Sequence, residues 1–186
     1  MIMKEKLVKK NLLHKGKAVD FYCDDVMLPN KHMSKREYLG HPGAAAVLPF
    51  LDERLIVLVK QYRYPINEIT LELPAGKLEK GENPLKAIRR ELKEETGYKA
   101  KTFQKMISFY PSTTFSTELL HIYAAFDLTE GKSQPDVDEI VNKEILPIGE
   151  AIDMLFAGKI RDCKTVIALL FWHNLVPFKL IEEINK

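Results

Sequence analysis

The chain has almost no excess charge: 28 Lys and Arg against 26 Asp and Glu leave +2 at pH 7. A domain built to grip a phosphate backbone carries a clearly basic balance, so near-neutrality argues against a nucleic-acid partner. Cysteine is equally scarce. Cys23 and Cys163 stand far apart in the sequence, form no metal-spaced pair, and read as two buried thiols in a reducing compartment. Long apolar runs are missing as well. The longest, TVIALLFW from Thr165 to Trp172, falls far short of the roughly 20 residues a bilayer-spanning helix requires. The basic opening MIMKEKLVKK is not followed by the apolar stretch of a secretory leader. No membrane partner is therefore expected, and the cytoplasm is the expected compartment. Internal repeats and low-complexity segments are also absent.

What is present suits a soluble globular protein. Apolar residues make up 46% of the chain, enough over 186 residues to bury a core without covalent staples. That length accommodates one domain, or one domain with a small appendage. KAVDFYCDDVML and KREYLGH read as strands separated by the turn chemistry of LPNKHMS, so the first 40 residues form a small antiparallel sheet. Apolar strands follow at AAAVLPF and RLIVLVKQYR, joined by the tight turn LDE, then a short strand at ITLELPA. Further strands are expected at TFQKMISFY, ELLHIYAAFDL and EIVNKEILPI. Helices are expected at 84–96, 149–156 and 162–175. Strands and helices mix without a regular βαβ repeat, which points to an α/β sandwich with a mixed sheet.

The helix at 84–96 raises a physical question. Asn83 is a good N-cap, Pro84 suits the first helical position, and Gly97 suits a left-handed C-cap. Leu85, Ile88 and Leu92 form one apolar stripe. Yet Glu91, Glu94 and Glu95 crowd neighbouring parts of one face near the helix C-terminus. Like charges at these spacings repel, and the helix dipole disfavours acids there. Arg90 and Lys93 could pair with them on a solvated face. A hard divalent cation would turn the repulsion into binding, because such ions take carboxylate oxygens.

The surrounding residues favour the cation. Gly76, Glu82, Arg90-Glu91-Leu92, Glu94-Glu95 and Gly97 stand in the pattern G-x5-E-x7-R-E-U-x-E-E-x-G-U, where U is a bulky apolar residue. This resembles the signature box of the Nudix hydrolases at every fixed position, with Tyr98 an aromatic where an aliphatic residue is usual. The resemblance implies a Nudix-type α/β/α sandwich at 41–186, preceded by the antiparallel β-sheet region of 1–40. It also implies hydrolysis of a nucleoside diphosphate linked to another moiety. Carried over by position, Glu91, Glu95 and the carbonyl of Ala75 would hold two or three magnesium (or manganese) ions, with Glu94 assisting. Gly76 would let the backbone approach the ions, Arg90 would orient Glu91 or pair with Glu82, and Gly97 would end the helix.

LELPAGKLEKGE, KREYLGHPGAAAVLP and GKIRDCKTVIALLFW further resemble the ADP-ribose pyrophosphatase branch, which implies conversion of ADP-ribose to AMP and ribose 5-phosphate. In that branch the N-terminal sheet reaches over a second subunit, so a homodimer is implied. Phe21 and Tyr22 match aromatics that stack on adenine, and Arg36 and Arg63 match arginines that hold the small nucleotide-sugar substrate. The general base is expected on a loop after the box, at Glu139 or Asp136, with Asp138 behind them and Glu118 as an outside candidate. The branch often carries Ser-Pro-Gly where this chain has Ser112-Thr113-Thr114. That departure keeps GDP-mannose and other nucleotide sugars as alternatives. A non-catalytic ADP-ribose sensor is a further alternative, although all the box glutamates are present.

Overall fold

The computed structural model describes residues 3–133 and 140–184, with side chains up to residue 174. Its backbone gathers into two compact units. One comprises the chain up to Gly43 together with Tyr110–Leu119; the other comprises Ala44–Phe109 and the chain from Leu120 onward.

In the first unit, β3 (Asp20–Met27) is the central strand of an antiparallel sheet. β4 (Met33–Gly40) pairs along one edge, with Tyr22 opposite Tyr38 and Asp24 opposite Arg36. The other edge is shared by β1 (Lys6–Lys9), opposite the end of β3, and β2 (Leu12–Lys15), opposite its start. The sequence pattern identifies β3 and β4 but not β1 and β2. These are four-residue strands with every side chain exposed, so burial imposes no alternation on them. The Tyr110–Leu119 segment lies against β4: Leu39 donates its N–H to the Phe115 carbonyl at 2.8 Å, and Thr117 donates to Leu39 at 3.0 Å. Cys23 is buried in this unit, whereas Cys163, expected to be buried, is exposed in the other.

The second unit is a sandwich. A mixed sheet runs in the order β8 (Ala75–Lys77), β5 (Ala44–Pro49), β10 (Leu120–Thr129), β9 (Lys99–Phe109), with β5 and β10 parallel. A second, antiparallel sheet places β6 (Leu55–Arg63) between β11 (Val141–Pro147) and β7 (Glu68–Glu72). β5 is buried along its whole length, and its alternation divides the core. Ala44, Ala46 and Leu48 join Ile56, Leu58, Ile122, Ala168 and Leu169 on one side. Ala45 and Val47 join Ala87, Ile88 and Leu92 on the other. Helix α1 (Pro84–Thr96) thus covers one face, while α2 (Ile148–Phe156) and α3 (Cys163–Ile184) supply the opposite layer. Burying both faces explains why β5 reads as a continuous apolar run.

Local chemistry fixes α1 at both ends. The Asn83 side chain accepts from the Leu85 N–H at 2.9 Å, and Gly97 takes the left-handed conformation at φ 80°, its N–H donating to the Lys93 carbonyl. α3 runs past the expected stop at Leu175 to Ile184, with Pro177 inside it. A proline in a helix interior removes one N–H from the ladder and crowds the carbonyl four residues back, which makes it a stop signal in sequence reading; here the helix continues across it. No helix of the described residues is long and apolar enough to cross a membrane.

Candidate active site

The strand β8 and the helix α1 place the box residues against each other. Glu91 and Glu95 are the buried acids of α1, at 8% and 6% exposure, while Glu94, one position away, is part-exposed. Glu95 accepts the Ala75 N–H at 3.2 Å. Glu91 lies over Gly76: a Cβ built on that glycine would stand 1.8 Å from Glu91 Oε1. Both carboxylates therefore sit on the backbone of β8, and the approach is possible only because residue 76 has no side chain.

Arg90 ties the acids together. Its Nη1 donates to Glu91 at 2.7 Å and to Glu94 at 3.0 Å, and its Nη2 reaches Glu82 at 3.3 Å. Partial burial works against the guanidinium charge, but Glu82, Glu91 and Glu94 more than offset it and raise its pKa. Glu82 is pulled below the usual carboxylate range by the backbone N–H of Glu79, with Arg90 adding to the effect. Gly97 lies at the far end of the helix, where an added Cβ would meet the Gly131 carbonyl at 2.7 Å.

The donor set suits a hard divalent cation in kind: two buried carboxylates beside a strand backbone. Among the described residues no group of three or more His, Cys, Asp or Glu side chains converges in a metal-holding arrangement. Here Arg90 supplies the positive charge between Glu91 and Glu94.

Arg63, at the end of β6, donates from Nε and Nη2 to the two oxygens of Glu72, both at 2.7 Å. Glu72 also accepts from Thr70 and from Lys164 Nζ. Lys164 reaches Asp162 at 3.0 Å as well. Burial opposes the Glu72 charge, but Arg63, Lys164 and Thr70 overcome it and hold the carboxyl at about 2. Arg63 borders a cleft of about 630 Å³ that is also lined by Pro65, Ile66, Thr70 and Arg161. Glu72, Asp162, Lys164 and Thr165 escape motif reading as individual residues. The only signal for them is that LELPAGKLEKGE and GKIRDCKTVIALLFW, which contain them, carry family resemblance.

The remaining candidates lie in the first unit. Tyr22 is half-buried and stacks on Tyr38 with ring centroids 5.1 Å apart, while Lys10 Nζ sits 4.6 Å from the Tyr22 centroid. Burial, then the hydrogen bond to Asp24, pushes the Tyr38 hydroxyl up to about 12. Phe21 is half-buried, opposite Leu39. Arg36 is forked onto Glu5, with Nε donating at 2.9 Å and Nη2 also engaged. It borders a pocket of about 260 Å³ with Glu37, Tyr38, Thr113, Thr114 and Ser116. Glu118 lies in the Tyr110–Leu119 segment, its N–H on Ser116 Oγ at 3.1 Å. Asp136, Asp138 and Glu139 lie outside the described residues.

Known proteins resemble this chain in sequence and in fold. A model of the NUDIX domain matches residues 40–166. An ADP-ribose pyrophosphatase of Bacillus subtilis (strain 168) is 42% identical over 171 residues, covering 91% of this chain and 92% of that one. A methanol dehydrogenase activator of Bacillus methanolicus is 42% identical over 172 residues, covering 91% and 93%. A GDP-mannose pyrophosphatase of Yersinia enterocolitica is 35% identical over 138 residues, covering 69% and 72%. The crystal structure of an ADP compounds hydrolase shares the fold at a TM-score of 0.84 and 19% identity, over 96% of this chain and 97% of the other.

Proposed function

The chain belongs to the Nudix family, and we propose that it hydrolyses the pyrophosphate bond of ADP-ribose, releasing AMP and ribose 5-phosphate. The observation that carries this reading is the seating of Glu91 and Glu95 on the Ala75–Gly76 backbone. The 42% identity to an ADP-ribose pyrophosphatase over nearly the whole chain supports the choice of substrate.

Nudix hydrolases generally depend on divalent metal. In this chain Glu91, Glu95 and the Ala75 carbonyl would hold magnesium or manganese, two or three ions per site. Bound there, the ions would neutralise the diphosphate and lower the pKa of a water. Arg90 orients the acids through its contacts with Glu82, Glu91 and Glu94. Arg63 offers a guanidinium to the diphosphate oxygens, and Phe21 or Tyr22 offers a ring to adenine. Lys10 covers the Tyr22 ring and Tyr38 stacks on it. Proton removal from the attacking water falls to Glu139 or Asp136, with Asp138 behind them and Glu118 as the outside candidate, while Glu94 assists the metal ligands.

The exposed Leu7, Val8, Leu12 and Leu13 of the N-terminal sheet support its use in a homodimer, and the scarcity of cysteine supports a reducing compartment such as the cytoplasm. A second reading, a GDP-mannose or other nucleotide-sugar pyrophosphatase, draws on the hydroxyl-rich pocket at Thr113, Thr114 and Ser116 and on the 35% identical relative. Incubation with ADP-ribose, GDP-mannose, NADH, diadenosine polyphosphates and 8-oxo-dGTP in magnesium tests both. The expected outcome is preferential release of AMP from ADP-ribose. Tight binding of ADP-ribose without hydrolysis of any compound would identify a sensor instead.

A further inference from the structure

We propose that Lys164 is a positioning residue that aims the Arg63 guanidinium into the neighbouring cleft. The proposal rests on the reading that Arg63 holds substrate. Lys164 is nine-tenths buried at the start of α3, and its ammonium sits between Glu72 and Asp162. Glu72, in turn, is 2% exposed and receives two of the Arg63 nitrogens. The third, Nη1, has no hydrogen-bond partner among the described residues, and the Arg63 side chain is 42% exposed where it borders the cleft.

Two cations and two acids thus balance in charge: Arg63, Lys164, Glu72 and Asp162. As a source of stability such a set is a poor choice, because apolar side chains of similar volume pack at least as well. What it provides is direction. A carboxylate that accepts two parallel N–H bonds fixes the plane of a guanidinium. That plane stays fixed only if the carboxylate is itself held. Lys164 and Thr70 hold it from the sides Arg63 does not occupy. Lys164 also neutralises Asp162, whose charge acts on Arg63 together with that of Glu95. Without the ammonium, the uncompensated charges of Glu72 and Asp162 would draw Arg63 inward. The same turn of α3 reaches the box: Leu73, two residues before Ala75, donates its N–H to Thr165 Oγ1 at 2.8 Å, and Thr165 donates to Asp162 at 2.6 Å.

The test is steady-state kinetics on ADP-ribose in magnesium for wild type, Lys164→Met and Lys164→Arg, with circular dichroism and thermal melting as folding controls. Lys164→Met is expected to raise KM at least tenfold while kcat stays within threefold, and Lys164→Arg to restore KM to within threefold of wild type. A scaffold role alone would lower kcat and the melting temperature without this split. A folded Lys164→Met with wild-type KM would overturn the proposal, as would a Lys164→Arg no better than Lys164→Met. If Lys164→Met does not fold, Lys164→Gln, which keeps a donor for Glu72 without the charge, is judged by the same KM and kcat criteria. Wild-type turnover tests the substrate reading by itself. If the wild type prefers another nucleotide sugar, the variants are compared on that compound, so the two failures are read separately.

Discussion

Gly76 is the residue on which the site geometry turns. Its backbone is extended and would accept a side chain; the obstacle is space, because an added Cβ would stand 1.8 Å from Glu91 Oε1 and 2.0 Å from its Cδ. The obstructing atoms are the end of a flexible side chain, so Gly76→Ala should displace the Glu91 carboxylate and leave the fold in place. We expect kcat to fall about 100-fold, equivalent to about 2.7 kcal/mol of barrier, with an unchanged circular dichroism spectrum. Calorimetric titration with manganese should show weakened binding in the same variant. Wild-type turnover by Gly76→Ala would remove Glu91 from the proposed ligand set. Glu95→Gln examines the other acid in a different way. The amide keeps an oxygen for the Ala75 N–H but loses the charge, so turnover should drop by a similar factor or more while the melting temperature stays close to that of the wild type.

At the scale of the element, α1 owes its boundaries to signals that lie within a few residues of each end. The Asn83 side chain satisfies the Leu85 N–H, and Asn83→Ala is expected to cost about 1 kcal/mol. In a chain of this size that lowers the melting temperature by roughly 2–4 °C, which differential scanning fluorimetry can read. Those local signals are why α1 was legible in the sequence from cap to cap. The box was legible for a related reason: its residues are gathered by one short strand and the helix that follows it, so sequence spacing translates directly into proximity. The Glu72–Lys164 contact joins residues 92 positions apart, and no local period can announce such a pairing. β1 and β2 eluded the pattern because exposed strands need not alternate. The length of α3 eluded it because Pro177 marks a stop in isolation that the folded helix does not obey.

At the scale of the whole molecule, the buried charge set that aims Arg63 also ties folding to pH. The Glu72 carboxyl lies at about 2 in the folded protein, against an ordinary value of 4.5. The unfolded chain therefore takes up a proton first as the solution is acidified. With a lowered folded-state pKa, the contribution to stability is complete above about pH 4.5 and is lost progressively as pH falls toward 2. The contribution at neutral pH is on the order of 3 kcal/mol. Urea unfolding of the wild type at pH 7, 4 and 2.5 should show stability declining mainly over the last interval. Glu72→Gln gives the decisive comparison, because glutamine keeps the shape of the side chain but cannot titrate. Its deficit relative to wild type should be largest at pH 7 and shrink as pH falls through the window between the two pKa values. A deficit that stays constant from pH 7 to 2.5 would mean that the charge on Glu72 contributes nothing and that only its shape matters. In that case Arg63 and Lys164 are held by packing rather than by the carboxylate between them.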